Sequence, residues 1–282
     1  MGIYWESQII GELFPPSGNY TIETATIVKD GKMNWWVAAV ANKTVYVWNS
    51  SSNGKRWSPP IKLADGIDKD DICVATLLPD GVGVIWSDQI QQAIRIRTHK
   101  VGQPVESWNE MVTIEAGNRT ADDHLNTALS QDGTLWLATK NSLDEQGKPQ
   151  LVLRVHLVKG QWRNFPYAIL GSIQKPSRPI VITTEDPSVI LAGHTIYNTK
   201  YPYLGEIVFG QVDTTQAGLL KNVTTVIAPD NKSSVSVNRI NDATGPRKPF
   251  PLNIPWIVLA SDKEGRVYEA DLRRLVYTSP TE

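Results

Sequence analysis

The sequence has too few cysteines for covalent or thiolate cross-linking, since it contains only Cys73. One cysteine cannot form an internal disulfide or a cluster of thiolate ligands, so both kinds of stabilisation are excluded. The acidic segment 65–71 lacks the spaced ligands and the terminal glutamate of a calcium loop. We therefore predict neither a metal nor another cofactor, and we expect the stability of the chain to come from packing.

The chain also lacks an excess of either charge, because 28 Lys and Arg stand against 29 Asp and Glu. Such a balance provides no field that would hold nucleic acid or an anionic membrane. No apolar run reaches the roughly 18 residues of a membrane span. The start, residues 1–6, has no basic residue or small-residue cleavage site of a signal peptide. The sequence predicts a soluble protein without a signal peptide and leaves its compartment open.

The chain does contain ten tryptophans and a diverged internal repeat. In each repeat an alternating apolar segment runs into a turn aspartate. The aspartates are Asp30, Asp80, Asp132, Asp186 and Asp242, separated by 50, 52, 54 and 56 residues. Glycine follows the first three, where we expect tight hairpin turns that need a positive φ.

Each repeat carries further segments rich in β-branched and aromatic residues, which favour strands. Second strands are predicted at 35–41, 82–87, 134–139, 188–193 and 256–261, and third strands at 45–48, 94–97, 151–157, 206–212 and 266–270. A fourth strand opens with a tryptophan and an aliphatic residue four places on, as at Trp57 and Trp108. Four short strands per repeat without an amphipathic helix are typical of a β-propeller blade. We predict an all-β fold, a five-bladed β-propeller with four antiparallel strands per blade.

The N-terminus repeats the pattern that opens a fourth strand, with Trp5 followed by Ile9. The last repeat has no such strand, so we expect the N-terminal strand to complete it and close the ring, which removes open sheet edges. The chain 1–282 is then one propeller domain. Its blades are predicted at approximately 14–63, 64–115, 116–170, 171–228, and 229–282 together with 1–13.

The segment Ser50 to Pro59 resembles the Asp-box of sialidase-like propellers, Ser-x-Asp-x-Gly-x-Thr-Trp, and it stands between a third and a fourth strand. Ser52 replaces the aspartate and Arg56 the threonine. The alternating segment 128–138 also resembles propeller lectins. The Asp-box is a structural turn in that family, so the resemblance implies the fold rather than an activity.

Sialidase activity would require three arginines for a carboxylate, a tyrosine nucleophile with a glutamate partner, and an aspartate as acid and base. Arg119 and Arg178 fall on suitable loops, and a third arginine is present only if Arg239 points into the channel. Tyr201 with Glu145, and either Asp70 or Asp122, could fill the remaining roles, but nothing in their spacing selects them. A hydrolase that uses two carboxylates of the Asp70–Asp71 and Asp122–Asp123 pairs is another option, but it depends on a separation that the sequence does not give.

We call the loops between successive blades, and those between second and third strands, the funnel loops, because in a propeller they meet around the central funnel. They carry most of the polar candidates for ligand binding. The predicted binding residues are Asp70, Asp71, Trp86, Asp88, Arg119, Asp122, Asp123, His124, Arg178, His194 and Tyr201. Two pairs of aspartates in one funnel would raise some of their pKa values.

Structural roles compete with these assignments. The aspartate pairs also suit loops that cap their own amides, and a tryptophan such as Trp86 also suits the core rather than a sugar platform. The residues after the predicted second strands are of four chemical kinds over the five repeats, which favours one asymmetric site over repeated lectin sites. We interpret the protein as a noncatalytic propeller that recognises a glycan or another polar small molecule at its funnel. The alternatives are a sialidase-like glycoside hydrolase and a scaffold that binds a protein.

Overall fold

The fold was analysed in a computed structural model of the chain. It describes residues 13, 22, 24–51, 54, 56–158, 160–172, 174–198, 205–213, 220–228, 240, 243–262 and 265–277. Across these residues the chain forms β-strands and a single 3₁₀ turn, Leu272–Leu275. None of the described helical residues forms a segment long and apolar enough to cross a membrane.

The strands form five antiparallel sheets, each built from consecutive strands. Sheet 1 contains β1 (Ala25–Lys29), β2 (Trp35–Ala41), β3 (Thr44–Ser50) and β4 (Ile61–Asp65). Sheet 2 contains β5 (Cys73–Leu78), β6 (Gly81–Asp88), β7 (Ala93–Lys100) and β8 (Val112–Ala116). Sheet 3 contains β9 (Leu125–Leu129), β10 (Leu135–Lys140), β11 (Pro149–His156) and β12 (Trp162–Ile169). Sheet 4 contains β13 (Gln174–Thr183), β14 (Ile190–Asn198), β15 (Gly205–Val212) and β16 (Leu220–Ile227), and sheet 5 contains β17 (Ala243–Thr244), β18 (Ile257–Ser261) and β19 (Val267–Asp271).

The sequence pattern located the second and third strands of every sheet, and β2 has the predicted bounds. The fourth strands of sheets 1 and 2 begin at the aliphatic residues Ile61 and Val112, four places after the marker tryptophans. Sheet 5 has three described strands. The strand predicted to complete it, near residues 5–10, lies outside the described residues.

The hairpin turns use polar side chains to hold the next strand. Asp30 accepts hydrogen bonds from the backbone N–H of Lys32 and Asn34 and from Nε1 of Trp36 at 3.0 Å. Ser130 accepts the Nε1 proton of Trp136 at 2.7 Å in the same way. An aromatic ring at the start of a second strand is thereby fixed by the turn that precedes it.

The expectation that each glycine after a turn aspartate needs a positive φ was wrong for two of the three. Gly133 has a φ of 84°, but in the first turn the positive φ falls on Met33, at 68°. Gly81 is required for a different reason, because a Cβ there would lie 1.9 Å from the carbonyl oxygen of His99. Close backbone approach, rather than turn conformation, therefore accounts for this glycine.

Contacts divide the chain into two compact units. One comprises Met1–Trp86 and Arg95–Val112, and the other Ser87–Ile94 and Thr113–Glu282. In the first unit a buried cluster includes Trp36, Val47, Val84 and Trp86. In the second, one cluster joins sheets 3 and 4 and another joins sheets 4 and 5.

The first strands of neighbouring sheets are tied by equivalent hydrogen bonds within each unit. The backbone N–H of Ala75 donates to Oγ1 of Thr26 at 2.7 Å, and that of Val181 donates to Oδ1 of Asn126 at 3.0 Å. These side chains satisfy backbone donors on strands that would otherwise present an unpaired edge.

Candidate functional site

Two funnel loops lie side by side in the second unit, the loop 117–124 between β8 and β9 and the loop 141–148 between β10 and β11. The backbone N–H of Ser142 donates to the carbonyl of Arg119 at 2.9 Å, and that of Lys140 donates to the carbonyl of His124 at 3.2 Å. Asn118 and Arg119 both have a φ of 53°, which reverses the chain at the start of the first loop. The loops are thus joined by their backbones, which brings their side chains together.

Arg154 lies in β11 beneath these loops and is fully buried. Its guanidinium donates to Oε2 of Glu115 at 2.8 Å and 2.6 Å, and to Oγ1 of Thr120 at 2.8 Å. It also donates to Oγ1 of Thr139 and contacts Oδ1 of Asn141. One charged side chain therefore fixes strands β8 and β10 together with both loops, as a buried cation requires several partners.

Four polar side chains of these loops and of β10 form a connected group. We call them the Asp122 cluster, which consists of Asp122, Asp123, His124 and Lys140. Nδ1 of His124 lies 2.7 Å from Oδ1 of Asp122 and 2.5 Å from Oδ1 of Asp123. Nζ of Lys140 lies 2.7 Å from Oδ2 of Asp122. Both imidazole contacts are to carboxylate oxygens, so Nδ1 carries the proton.

The contacts within the cluster shift the pKa values of Asp122 and His124 in opposite directions. Burial alone would raise the pKa of Asp122, but hydrogen bonding to His124 and the charge of Lys140 outweigh it and hold the pKa well below its usual range. Burial likewise opposes protonation of His124, yet its hydrogen bonds to Asp122 and Asp123 raise its pKa. Asp122 is not one of the aspartates with a raised pKa, because His124 lies between its carboxylate and that of Asp123 and Lys140 contacts its second oxygen.

Asp122, Asp123 and His124 each offer one ligand atom within 4.8 Å of the others, a spacing that could hold a metal ion. The side-chain chemistry does not fit this role. Asp122 is already neutralised by Lys140. Nδ1 of His124 carries a proton, so it has no lone pair to offer a metal ion. The cluster is a charged hydrogen-bonding network.

Asp70 and Asp71 belong to a turn that satisfies its own backbone. Oδ2 of Asp71 accepts from the N–H of Asp68 at 2.8 Å, and Asp70 forms an exposed ion pair with Lys69. This arrangement is the structural role that the sequence offered as the alternative to ligand binding, in which the aspartates cap the amides of their own loop.

Two predicted residues of β6 are buried. Trp86 is fully buried in the core of the first unit, so neither face of its ring is available as a sugar platform. Asp88 is 6% exposed and accepts from the backbone N–H of Gln91 at 2.9 Å. Its carboxylate thus supports the following turn.

Arg178, His194 and Arg119 contact residues outside the Asp122 cluster. Arg178 donates to the hydroxyl of Tyr197 and lies over its ring, 5.6 Å from the centroid. His194 is buried against Tyr167, with ring centroids 5.9 Å apart, and burial lowers its pKa to about 4. Arg119 is exposed, and its backbone N–H donates to Gln92. Tyr201 and Arg239 lie outside the described residues.

The sequence interpretation missed Arg154, Glu115 and Ser142. Arg154 carries a signal, because it is a lone charge within the otherwise apolar run 151–155 of a central strand. Such a charge is buried only with partners. Ser142, whose hydroxyl lies 3.4 Å from Oδ2 of Asp122, has no distinguishing signal.

No protein-family profile and no curated protein matches the sequence. Solved structures do match the fold. A GH93 α-L-arabinofuranosidase of Fusarium graminearum in complex with arabinobiose has 14% identity and a TM-score of 0.58, covering 89% of this chain and 78% of that one. A Dyadobacter fermentans protein of unknown function has 12% identity and a TM-score of 0.55, covering 90% of this chain and 83% of that one.

An N-acetylgalactosamine deacetylase from F. plautii, in complex with blood group B trisaccharide, has 11% identity and a TM-score of 0.50, covering 89% of this chain and 83% of that one. Similarity at these identities establishes the fold, which is an all-β fold of the β-propeller type. It does not transfer an activity.

Proposed function

We propose that the protein binds a glycan at the Asp122 cluster and does not hydrolyse it. The observation that carries the proposal is the ionised carboxylate of Asp122, held 2.7 Å from both His124 and Lys140. A rigid group of charged donors and acceptors suits sugar hydroxyls, which donate and accept hydrogen bonds at once.

Partial exposure supports a binding role for the cluster. The side chains of His124 and Lys140 are 18% and 20% exposed, and that of Asp123 is 36% exposed. These groups retain contact with solvent, whereas Asp122 is 11% exposed. A ligand would therefore meet Asp123, His124 and Lys140, with Asp122 fixing their positions.

The geometry of the carboxylates argues against hydrolysis at this cluster. Glycoside hydrolases place two carboxyl groups on either side of the scissile bond, and one of them has a raised pKa so that it can act as an acid. Here Asp122 and Asp123 both contact the same nitrogen of His124. The pKa of Asp122 is lowered, so it is not available as the acid.

The differences between repeats support a single site. The residues that the repeat register places after each predicted second strand are Asn42, Asp88, Lys140, His194 and Asp262. In the structure Asp88 and Lys140 end β6 and β10, and His194 lies within β14. Among the described residues, Lys140 is the member of this set that belongs to the Asp122 cluster.

A five-bladed ring, closed by the N-terminal strand, is the arrangement that we propose for the sheets.

A sialidase-like or other glycoside hydrolase is the second candidate. It is favoured by the likeness in fold to an α-L-arabinofuranosidase. It would have to use groups other than the Asp122 cluster.

A glycan array probed with the full chain and two variants tests the proposal. Lys140→Met should lose the binding that the parent chain shows, because the cation that orders Asp122 is gone. Lys62→Met is the matched control, since Lys62 forms an exposed ion pair with Asp65 at 2.6 Å. Array binding that persists in Lys140→Met, or hydrolysis of aryl arabinosides or sialosides by the parent chain, would overturn the proposal.

A further inference from the structure

A cavity opens at the end of sheet 3 opposite the Asp122 cluster. The Asp122 cluster lies where β9 begins and β10 ends. The cavity lies where the β9–β10 and β11–β12 hairpins turn, and it extends to the ends of strands in sheet 4. Its volume is about 260 Å³. Pockets for drug-sized ligands occupy roughly 300 to 1,000 Å³, so this cavity fits a smaller molecule, about one sugar ring.

Two aromatic rings form part of the cavity wall. Trp136 and Phe165 line it together with Leu157, which is 38% exposed. The only N–H of the Trp136 ring is already donated to Ser130, so the indole offers the ligand its carbon surface. Aromatic carbon surfaces pack well against the C–H face of a sugar ring.

Charged groups of opposite sign complete the lining. Asp132 and Arg163 are both exposed, and the described part of the chain gives Arg163 no ion-pair partner. Asp132 accepts from Thr134, which leaves acceptor capacity on its carboxylate. The buried carboxylate of Asp213 is compensated by Lys221 at 2.7 Å. Counted together with Lys221, which pairs with Asp213 from outside the lining, these groups carry no net charge to favour an ion.

We propose that this cavity is a second ligand site, which takes one neutral monosaccharide unit. Phe165 and Trp136 pack against the ring, the Asp132 carboxylate accepts from hydroxyl groups, and the Arg163 guanidinium donates to hydroxyl oxygens. No residue of the cavity belongs to the Asp122 cluster. The site thus stands independently of the function proposed for that cluster.

The test is ligand-observed NMR titration of the full chain with D-glucose, D-galactose, L-arabinose and N-acetyl-D-galactosamine. Arg163→Ala removes the free donor at an exposed position, and Leu157→Trp places bulk at the cavity. Lys100→Ala, an exposed lysine of sheet 2 with a loose ion pair to Asp80 at 3.8 Å, is the control. Circular dichroism confirms that each variant is folded.

We expect saturable binding of at least one sugar. In Arg163→Ala the affinity for the sugar should fall about tenfold or more, because a hydrogen bond from a charged donor is lost. Leu157→Trp should weaken the binding at least as much, whereas Lys100→Ala should bind as the parent chain does. Absence of saturable binding, binding in both cavity variants that equals that of the parent chain, or preferential binding of a zwitterion such as leucine would overturn the proposal. Loss in Asp122→Asn alone would place the sugar at the Asp122 cluster and would also overturn it.

Discussion

The ammonium of Lys140 lies 2.7 Å from Oδ2 of Asp122, although 18 residues separate the two in the chain. Lys140 ends a strand, and Asp122 lies in the loop before the preceding strand, so the antiparallel pairing of β9 with β10 brings them together. The pair is largely shielded from water, and this shielding makes it more than an ordinary surface contact.

Lys140→Met should lower the free energy of unfolding by about 2 kcal/mol, because it leaves the carboxylate of Asp122 shielded without its main cation. Urea denaturation of the full chain measures the change. The exposed pair of Lys62 and Asp65 gives the comparison, and Lys62→Met should change the free energy by less than about 0.5 kcal/mol. Equal effects in the two variants would show that the Lys140 pair is not shielded in solution.

The buried guanidinium of Arg154 predicts strong coupling with Glu115. Glu115→Gln should cost about 3 kcal/mol, since it removes the counter-charge of a fully buried cation. In the double variant with Arg154→Met the two losses should be far from additive, because the cation that needed compensation has also gone. Additive losses in a double-mutant cycle would contradict the network.

Stability should decrease as the pH falls from about 6.5 to 4, and His194 is the cause. Burial lowers its folded pKa to about 4 from the ordinary histidine value of 6.5, so the unfolded chain takes up the proton first in this window. The full loss for one group is about 3 kcal/mol. Denaturation at several pH values should show a flatter profile for His194→Met than for the parent.

The contribution of His124 to the pH dependence of stability has the opposite sign. Its pKa is raised, so its contribution is present below pH 6.5 and is lost as the pH rises through the folded value. The decrease towards pH 4 therefore does not come from His124. An unchanged pH profile in His194→Met would contradict the assignment to His194.

The sequence could predict the strands and the loops of the Asp122 cluster, because hairpin spacing and β-branched segments are local properties. Asp122 and His124 occupy a funnel loop that the repeat register alone identifies, and Lys140 ends the strand beside it. Burial of Trp86 could not be predicted, since every residue of β6 is buried and the strand has no polar face to give alternation. The contact of Arg154 with Glu115 joins residues 39 apart and depends on rotamers that a pattern does not contain.

Gly81→Ala should destabilise the chain by about 2 kcal/mol or more, because a Cβ would overlap the carbonyl oxygen of His99 and force the backbone apart. Gly31→Ala is a matched control in an equivalent turn, where nothing lies within 4 Å of an added Cβ. In thermal unfolding, the free energy of unfolding of Gly31→Ala should lie within about 0.5 kcal/mol of that of the parent chain. Similar melting of the two variants would contradict the close approach of β6 to His99.

A proton NMR spectrum of an array-selected glycan mixed with the full chain tests the central claim most directly, since one spectrum reports both binding and cleavage. We predict saturation transfer from the protein to the sugar protons, absent with Lys140→Met, while the anomeric signals of the intact glycan stay constant over time. New reducing-end signals, or equal saturation transfer with Lys140→Met, would contradict noncatalytic recognition at the Asp122 cluster.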